Sequence, residues 1–353
     1  MGGAGSFPAR RAGHTIASAI AQPCERSPPI DHHDRDTPAI REAEGHEGGR
    51  TALVCPGQGS QRPGGVAELP ASARATFDRA SAAIGIDLWE AGLTLDAEAI
   101  ARPSVLQPLL VAWAVADYER AREGWGGLPT PDFVLGHSSG QNSALVLSGA
   151  LPFEAALRFA YERGLHQDAA CDRDAHGLLA VSGLEEGAVS ALAGARGLVV
   201  ANRNAADQFV LAGRDDAMTA ALSDVTARGG RAVRLRLAGA FHSEHFRQAD
   251  ERSQALIDAL PFAEGFTPLI GNRAGQRIDD AAGLRAELSM QYTRPVAWTA
   301  ALATAYQEGV RTFAVTGPGN AMAGLVRRFG RTVEEPLRMV RLNAPRREEP
   351  PGT

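Results

Sequence analysis

Between Pro131 and Leu145 the chain reads PDFVLGHSSGQNSAL, two adjacent serines after a histidine and between two glycines. Residues 136–140, GHSSG, fit the pattern G-x-S-x-G with Ser138 at its centre. An apolar strand precedes the motif and a helical stretch follows it. A sharp strand-to-helix turn there exposes the central hydroxyl, and the flanking glycines let the backbone make the bend. The pattern selects Ser138 as nucleophile and leaves Ser139 a backbone role, its N–H at the start of the helix stabilising a developing oxyanion. The five residues alone equally describe an ordinary glycine turn, and their setting gives them chemical meaning.

A serine hydroxyl is a poor nucleophile near neutral pH and needs a base. From residue 50 onward the histidines are His137, His166, His176, His242 and His245. His242, in LAGAFHSEHF, follows an apolar strand at a junction between two parts of the chain, where a base could face the serine; helix capping or packing is the equal alternative. His242 and His245 have the i, i+3 spacing of a metal pair, but no third ligand lies nearby in sequence and no HExxH pattern supports them, so no metal site is expected. Arg163, in LPFEAALRFAYERGL, is the most informative residue. On a helical wheel Glu154, Arg158 and Glu162 define the wet face, whereas Arg163 falls with Ala156, Phe159 and Ala160 on the apolar one. A guanidinium cannot shed its proton, so one buried there needs an anion: an internal Asp or Glu, or a substrate carboxylate gripped by two parallel hydrogen bonds.

The elements that must position these residues follow from periodicity. An apolar strand, residues 51–55, runs into the glycine loop PGQGSQ; a Leu- and Ala-rich helix covers 105–122; the strand DFVLG leads into the serine motif; a further helix runs from about Pro152 to Ala169. Between 177 and 237 the order is strand, helix, strand, strand, helix, strand, a ferredoxin-like βαββαβ unit inserted into a larger α/β protein. The larger part resumes and closes with strand RTFAVTG, loop PGN, helix AMAGLVRR and a strand near LRMVRL. The expected organisation is a disordered extension over 1–49, a hydrolase-like α/β subdomain with a parallel sheet over 50–174 and 238–345, a ferredoxin-like subdomain over 175–237, and a disordered tail over 346–353.

Composition removes whole classes of chemistry. All 36 basic residues of the 353 are arginine, which excludes a catalytic lysine, Schiff-base and pyridoxal chemistry, and a Walker phosphate loop. A net charge of −5 gives no electrostatic case for nucleic acid or an anionic membrane. Cys24, Cys55 and Cys171 form neither an even set nor a CxxC pair, pointing to a reducing compartment, and no apolar run reaches the length of a membrane span. A cytoplasmic protein is expected.

Six motifs occur in order: PGQGSQ (56–61), GHSSG (136–140), ERG (162–164), GAFHS (239–243), PVAW (295–298) and GPG (317–319). With them the chain resembles the malonyl-CoA:acyl carrier protein transacylases, the acyltransferases of fatty acid and polyketide synthesis. The resemblance spans about residues 51–343. It implies transfer of a malonyl group from malonyl-CoA to the phosphopantetheine thiol of an acyl carrier protein, by a ping-pong exchange with no metal or redox cofactor. Ser138 is then the nucleophile and His242 its base, with the backbone N–H groups of Gln58 and Ser139 as the oxyanion hole. Arg163 clamps the malonyl carboxylate, and Phe241 and His137 join it as substrate-binding residues, Phe241 as the bulky residue of malonyl-selective members. The resemblance also implies that a main-chain carbonyl around Gly317–Asn320 orients the histidine in place of a triad Asp. A monomer without nucleic-acid or membrane partners is expected.

Some positions depart from that family. Ser139, Gly140, Gln141 and Asn142 stand where it usually has an aliphatic residue, glycine, glutamate and an aromatic; His166 replaces an apolar residue, and Glu244 and His245 replace residues that are commonly Pro or Leu. Two other classes share the scaffold: a thioester hydrolase that passes the acyl group to water, and a non-catalytic carrier-protein docking protein. Arg163 argues against an editor of uncharged chains, and the intact Ser138, His242 and Arg163 set argues against the second.

Overall fold

Ala52, Leu53, Val54 and Cys55 have no accessible surface, the continuous apolar run of a strand covered on both faces. In the computed structural model, which describes residues 49–124, 130–172, 175–235, 237 and 239–343, that run is an inner strand of a six-stranded sheet. In chain order the strands are β1 Arg50–Cys55, β2 Phe133–Gly136, β3 His176–Ser182, β4 Val199–Ala205, β5 Gln208–Arg214, β6 Arg231–Arg234, β7 Leu269–Ile270, β8 Arg277–Ile278, β9 Val310–Val315 and β10 Arg338–Arg341. The large sheet is ordered β10-β9-β1-β2-β7-β8; its first five strands are parallel, and β8 returns antiparallel on β7. Strand alternation divides β1 between two cores. Ala52 and Val54 face Trp298, Leu302 and Met322, while Leu53 and Cys55 belong with Ala144, Leu145 and Phe159.

The second sheet, β4-β5-β3-β6, is antiparallel throughout. Helices Glu186–Ala195 and Asp215–Ala227 cover one face, setting Val189, Leu192, Met218 and Val225 against Leu179, Val181, Phe209 and Leu211. This is the ferredoxin-like arrangement the sequence implies. Its other face, with Leu178, Val210 and Ala212, packs on Phe241, Phe246 and Tyr292 from the remainder of the chain. The edge strand β4 is tied down as well: Val296 donates its N–H to the Ala201 carbonyl and accepts that of Arg203, both at 2.8 Å.

The last strand of the unit expected up to residue 237 ends earlier than that boundary. β6 ends at Arg234, after which Leu235 still donates its N–H to the Leu178 carbonyl at 2.9 Å. Apart from Gly49, the extension expected over 1–49 lies outside the described residues, as does the tail over 346–353. Among the described residues no helix is long and apolar enough to cross a membrane.

Backbones pack closely where β2 turns into the helix Gln141–Leu147. A Cβ on Gly140 would sit 2.4 Å from the Cys55 carbonyl oxygen and 2.7 Å from that of Pro56, and one on Gly136 would sit 2.4 Å from the Gly140 carbonyl. Only glycine lets the turn nest beneath the end of β1. Gly140→Ala is expected to cost roughly 2 kcal/mol or more, because the obstructing atoms are backbone and cannot rotate aside. Gly187→Ala, in the helix Glu186–Ala195 where a Cβ meets nothing within 4 Å, is expected to add about 0.5–1 kcal/mol. Denaturant midpoints of the two variants test this, and equal midpoints would contradict it.

Candidate active site

Ser138 leaves β2 with φ 52°, in the left-handed region that non-glycine residues avoid, and a single tight turn over Ser138–Gly140 starts the helix Gln141–Leu147. Asn272 fixes the bend from outside. Its Oδ1 accepts the Ser138 N–H at 2.8 Å, and its Nδ2 donates to the Gly136 carbonyl at 2.7 Å. His242 also has a positive φ, 62°. The two strained residues meet: Ser138 Oγ lies 2.6 Å from His242 Nε2.

The other ring nitrogen sets the tautomer. His242 Nδ1 is 2.9 Å from the Arg294 carbonyl and 3.2 Å from that of Gln291, so it carries the proton and leaves Nε2 as acceptor toward the serine. This corrects the expected carbonyl around Gly317–Asn320. That loop buttresses the first glycine loop instead: a Cβ on Gly317 would strike Pro56 at 2.5 Å, one on Gly319 would strike the Ser60 carbonyl at 2.7 Å, and Gly317 donates its N–H to Asp117 at 2.9 Å. Burial pushes His242 down to about 4, with His137 and the Arg163 guanidinium acting the same way against the two carbonyls.

Arg163 has no accessible surface. Its NH1 donates to Gln291 Oε1 at 2.9 Å and its NH2 to Asn142 Oδ1 at 2.9 Å, with the Tyr292 hydroxyl at 3.4 Å. The guanidinium carbon lies 4.4 Å from the Phe159 ring centroid and 4.8 Å from that of Tyr292. Among the described residues no carboxylate comes within ion-pair distance of it, and Nε has no partner. The internal Asp or Glu that would have neutralised it is absent from its contacts. The buried Asp250 makes no ion pair with Arg163 but lies within its electrostatic reach, the guanidinium favouring its ionised form, while its Oδ2 accepts from the Thr293 N–H at 2.8 Å and hydroxyl at 2.9 Å.

Gln291 joins the three candidates. Its carbonyl faces His242 Nδ1, its Oε1 accepts from Arg163, and its Nε2 donates to the Ser138 carbonyl at 3.1 Å and to Gln141 Oε1. Gln141 Nε2 in turn donates to Glu287 Oε1 at 2.7 Å, the carboxylate that also receives the Asn272 N–H at 2.5 Å and Gln276 Nε2 at 2.7 Å. Sequence reasoning missed Asn272, Gln291 and Glu287. The only signal was proximity, Gln291 lying four residues before PVAW and Asn272 two after the short β7.

The remaining expected residues are distributed around this core. The Gln58 N–H donates to the Ser139 side-chain oxygen at 3.1 Å. His137, next to the serine, reaches Asn204 Oδ1 with Nε2 at 2.9 Å and packs edge-on to Trp298. Burial, before any other influence, holds His137 below the ordinary histidine value. Phe241 stacks on Phe246 at 4.2 Å in the core shared with the small sheet. A cavity of about 700 Å³ opens beside the glycine loops, lined by Ser60, Arg62, Trp113, Arg120, Asn320 and Arg341 and not by Ser138, His242 or Arg163. Arg163 is instead packed against protein, so an anion reaching it must displace neutral acceptors. Chemically, the set comprises an oriented hydroxyl, a neutral base and a fixed cation without a carboxylate ion pair.

Residues 52–314 match the acyl transferase domain family. The chain is 32% identical over 286 residues to the malonyl CoA-acyl carrier protein transacylase of Salmonella typhimurium, covering 79% of this chain and 92% of that protein. It is 31% identical over 296 residues to the Bacillus subtilis protein of the same name, covering 81% and 92%. Among solved structures, the malonyl-CoA:acyl carrier protein transacylase of Xanthomonas oryzae superposes with TM-score 0.77 at 30% identity, over 84% of this chain and 96% of that one. A malonyl-transacylase solved in complex with a type II PKS acyl-carrier protein superposes with TM-score 0.76 at 28% identity, over 83% and 96%.

The depressed His242 value has a definite sign. Its folded value lies below the ordinary histidine value of 6.5, so its contribution to stability is present above about pH 6.5 and is lost as pH falls toward 4. The ring stays an acceptor over that window. Inactivation of Ser138 by a sulfonyl fluoride is expected to keep its rate well below pH 6.5 and decline only near pH 4. A titration midpoint at 6.5 in the rate profile would contradict the burial effect.

Proposed function

The chain belongs to the acyl transferase domain family together with the malonyl CoA-acyl carrier protein transacylases, and on that premise we propose that it transfers a malonyl group from malonyl-CoA to the phosphopantetheine thiol of an acyl carrier protein through an ester on Ser138. In the first half-reaction Ser138 Oγ attacks the thioester carbonyl as its proton passes to His242 Nε2. The tetrahedral oxyanion is held by the Gln58 and Ser139 N–H groups, and collapse expels the coenzyme A thiolate, which takes the proton from His242. In the second, His242 deprotonates the carrier thiol, the sulfur attacks the ester, and Ser138 recovers its proton. Every bond and proton is accounted for by this chain, the malonyl thioester and the carrier thiol.

The observation that carries the malonyl assignment is Arg163, buried without a carboxylate and joined through Gln291 to both Ser138 and His242. A substrate carboxylate neutralises the guanidinium, whereas an acetyl group leaves it unpaired. Phe241 and His137 are assigned to contacts with the acyl group as part of the same proposal. Residues 50–174 and 238–345 carry the chemical groups, and residues 175–237 wall the site through Asn202 and Asn204, which reach His137. The sparse cysteines support a cytoplasmic setting.

Incubation with labelled malonyl-CoA, with and without a holo carrier protein, tests the reading. Label should move to the carrier; release of free malonate alone would make the protein a hydrolase, and no acyl-enzyme in either tube would make it a docking protein. Ser138→Ala is expected to abolish the malonyl adduct seen by intact mass, and an adduct that persists would mean another nucleophile. Arg163→Ala is expected to lower kcat/KM for malonyl-CoA by roughly 10²-fold or more while leaving acetyl-CoA much less affected. An unchanged malonyl-to-acetyl ratio would return Arg163 to a purely structural role.

A further inference from the structure

Ser139 is 1% exposed, and among the described residues its hydroxyl has one hydrogen-bond partner, the Gln58 backbone N–H at 3.1 Å. An oxyanion-hole donor works by aiming an N–H at the point where negative charge will develop. In the free protein this donor is already satisfied by a side-chain oxygen. The aliphatic residue usual at this position in the resembling family has no atom that could accept the bond, so the feature arises from this chain's own serine.

We propose that the Ser139 hydroxyl is a built-in stand-in for the substrate carbonyl oxygen, occupying the Gln58 donor in the free enzyme and rotating away when a thioester enters. The proposal rests on Ser138 as nucleophile and Gln58 as oxyanion donor. Two features make the rotation feasible. The backbone of Ser139 is fixed within the tight turn over Ser138–Gly140, so its oxygen moves by side-chain torsion alone, and among the described residues no second partner anchors the hydroxyl. The hydroxyl also serves the resting state. A partly buried N–H without an acceptor is destabilising, and an oxygen supplied by the protein satisfies it without recruiting water beside the nucleophile.

A competitor inside the hole lowers the apparent acylation rate by the fraction of molecules in which the hole is open. The hole contacts only the carbonyl, which every thioester has. The penalty is therefore the same for malonyl-CoA and acetyl-CoA and independent of Arg163.

Ser139→Ala removes Oγ and keeps the backbone N–H. Single-turnover acylation of Ser138 by malonyl-CoA and by acetyl-CoA, followed by intact mass, should speed up for both, by about three- to tenfold, the equivalent of one ordinary hydrogen bond. The malonyl-to-acetyl ratio should not change. Ser139→Gly, which also lacks the hydroxyl and adds no bulk, should do the same. A fall in both rates would overturn the proposal by making the hydroxyl a helper of the oxyanion, unchanged rates would overturn it by showing no competition, and a shifted ratio would overturn it by tying Ser139 to the acyl pocket. Wild-type protein that forms no acyl-enzyme at all would overturn this proposal and the transferase reading together, whereas a labelled wild type with no faster variant overturns this one alone.

Discussion

A guanidinium held in the interior without a carboxylate is the costly feature around which the site is arranged. Desolvating a charge is unfavourable by several kcal/mol, roughly, and neutral acceptors offset only part of that. Arg163 is given two amide oxygens, from Asn142 and Gln291, and two aromatic rings, from Phe159 and Tyr292. These hold the fork in position but leave its charge in place, so the site retains an affinity for an anion. The same Gln291 touches His242 through its carbonyl and Ser138 through its amide, so one residue links the cation to the serine–histidine pair.

Strain forms the second layer of the design. Among the described residues the non-glycine positions with φ in the left-handed region are Ser138, His242 and Met290, so two of these three are the residues whose side chains meet. Such backbone costs of order 1–3 kcal/mol per residue and persists where surroundings over-determine it. Asn272 grips the serine turn from both sides, and Gly136 and Gly140 permit contacts that any Cβ would forbid. His242 is held by two carbonyls from the segment before PVAW. The parallel sheet supplies the rest of the rigidity, with the glycine loop after β1 and the turn after β2 lying side by side because those strands are neighbours in register.

What could be read from the chain itself was whatever local chemistry dictates. The buried run of β1, the G-x-S-x-G turn, the period-2 and period-3.6 alternation of residues 177–237 and the misplaced arginine on an apolar helical face all leave marks within a few residues. The histidine's orienting carbonyls did not, since a backbone carbonyl looks alike at every position and only the packed chain reveals which one faces Nδ1. β7 and β8 are two residues each, too short to show alternation. Asn272, Gln291 and Glu287 are polar residues in irregular or short segments, and their value comes from partners up to 153 positions away in sequence. Burial of Arg163 followed from the helical wheel, but the neutrality of its partners required coordinates.

The departures at residues 141 and 142 make physical sense as a set. Glu287 accepts from the Gln141 amide, the Asn272 N–H and the Gln276 amide, so a second carboxylate at position 141 would confront it across a buried contact with no cation between them. An amide removes that repulsion and supplies a donor; its oxygen then receives Gln291 Nε2. At position 142 an amide oxygen reaches Arg163 where an aromatic ring could only stack, while its Nδ2 goes to Gln107 at 3.2 Å. The wall behind the cation is thereby hydrogen-bonded instead of greasy. The Asn142 oxygen thus occupies an Arg163 donor that any incoming anion would have to win, whereas Gln141 acts on the cation only through Gln291.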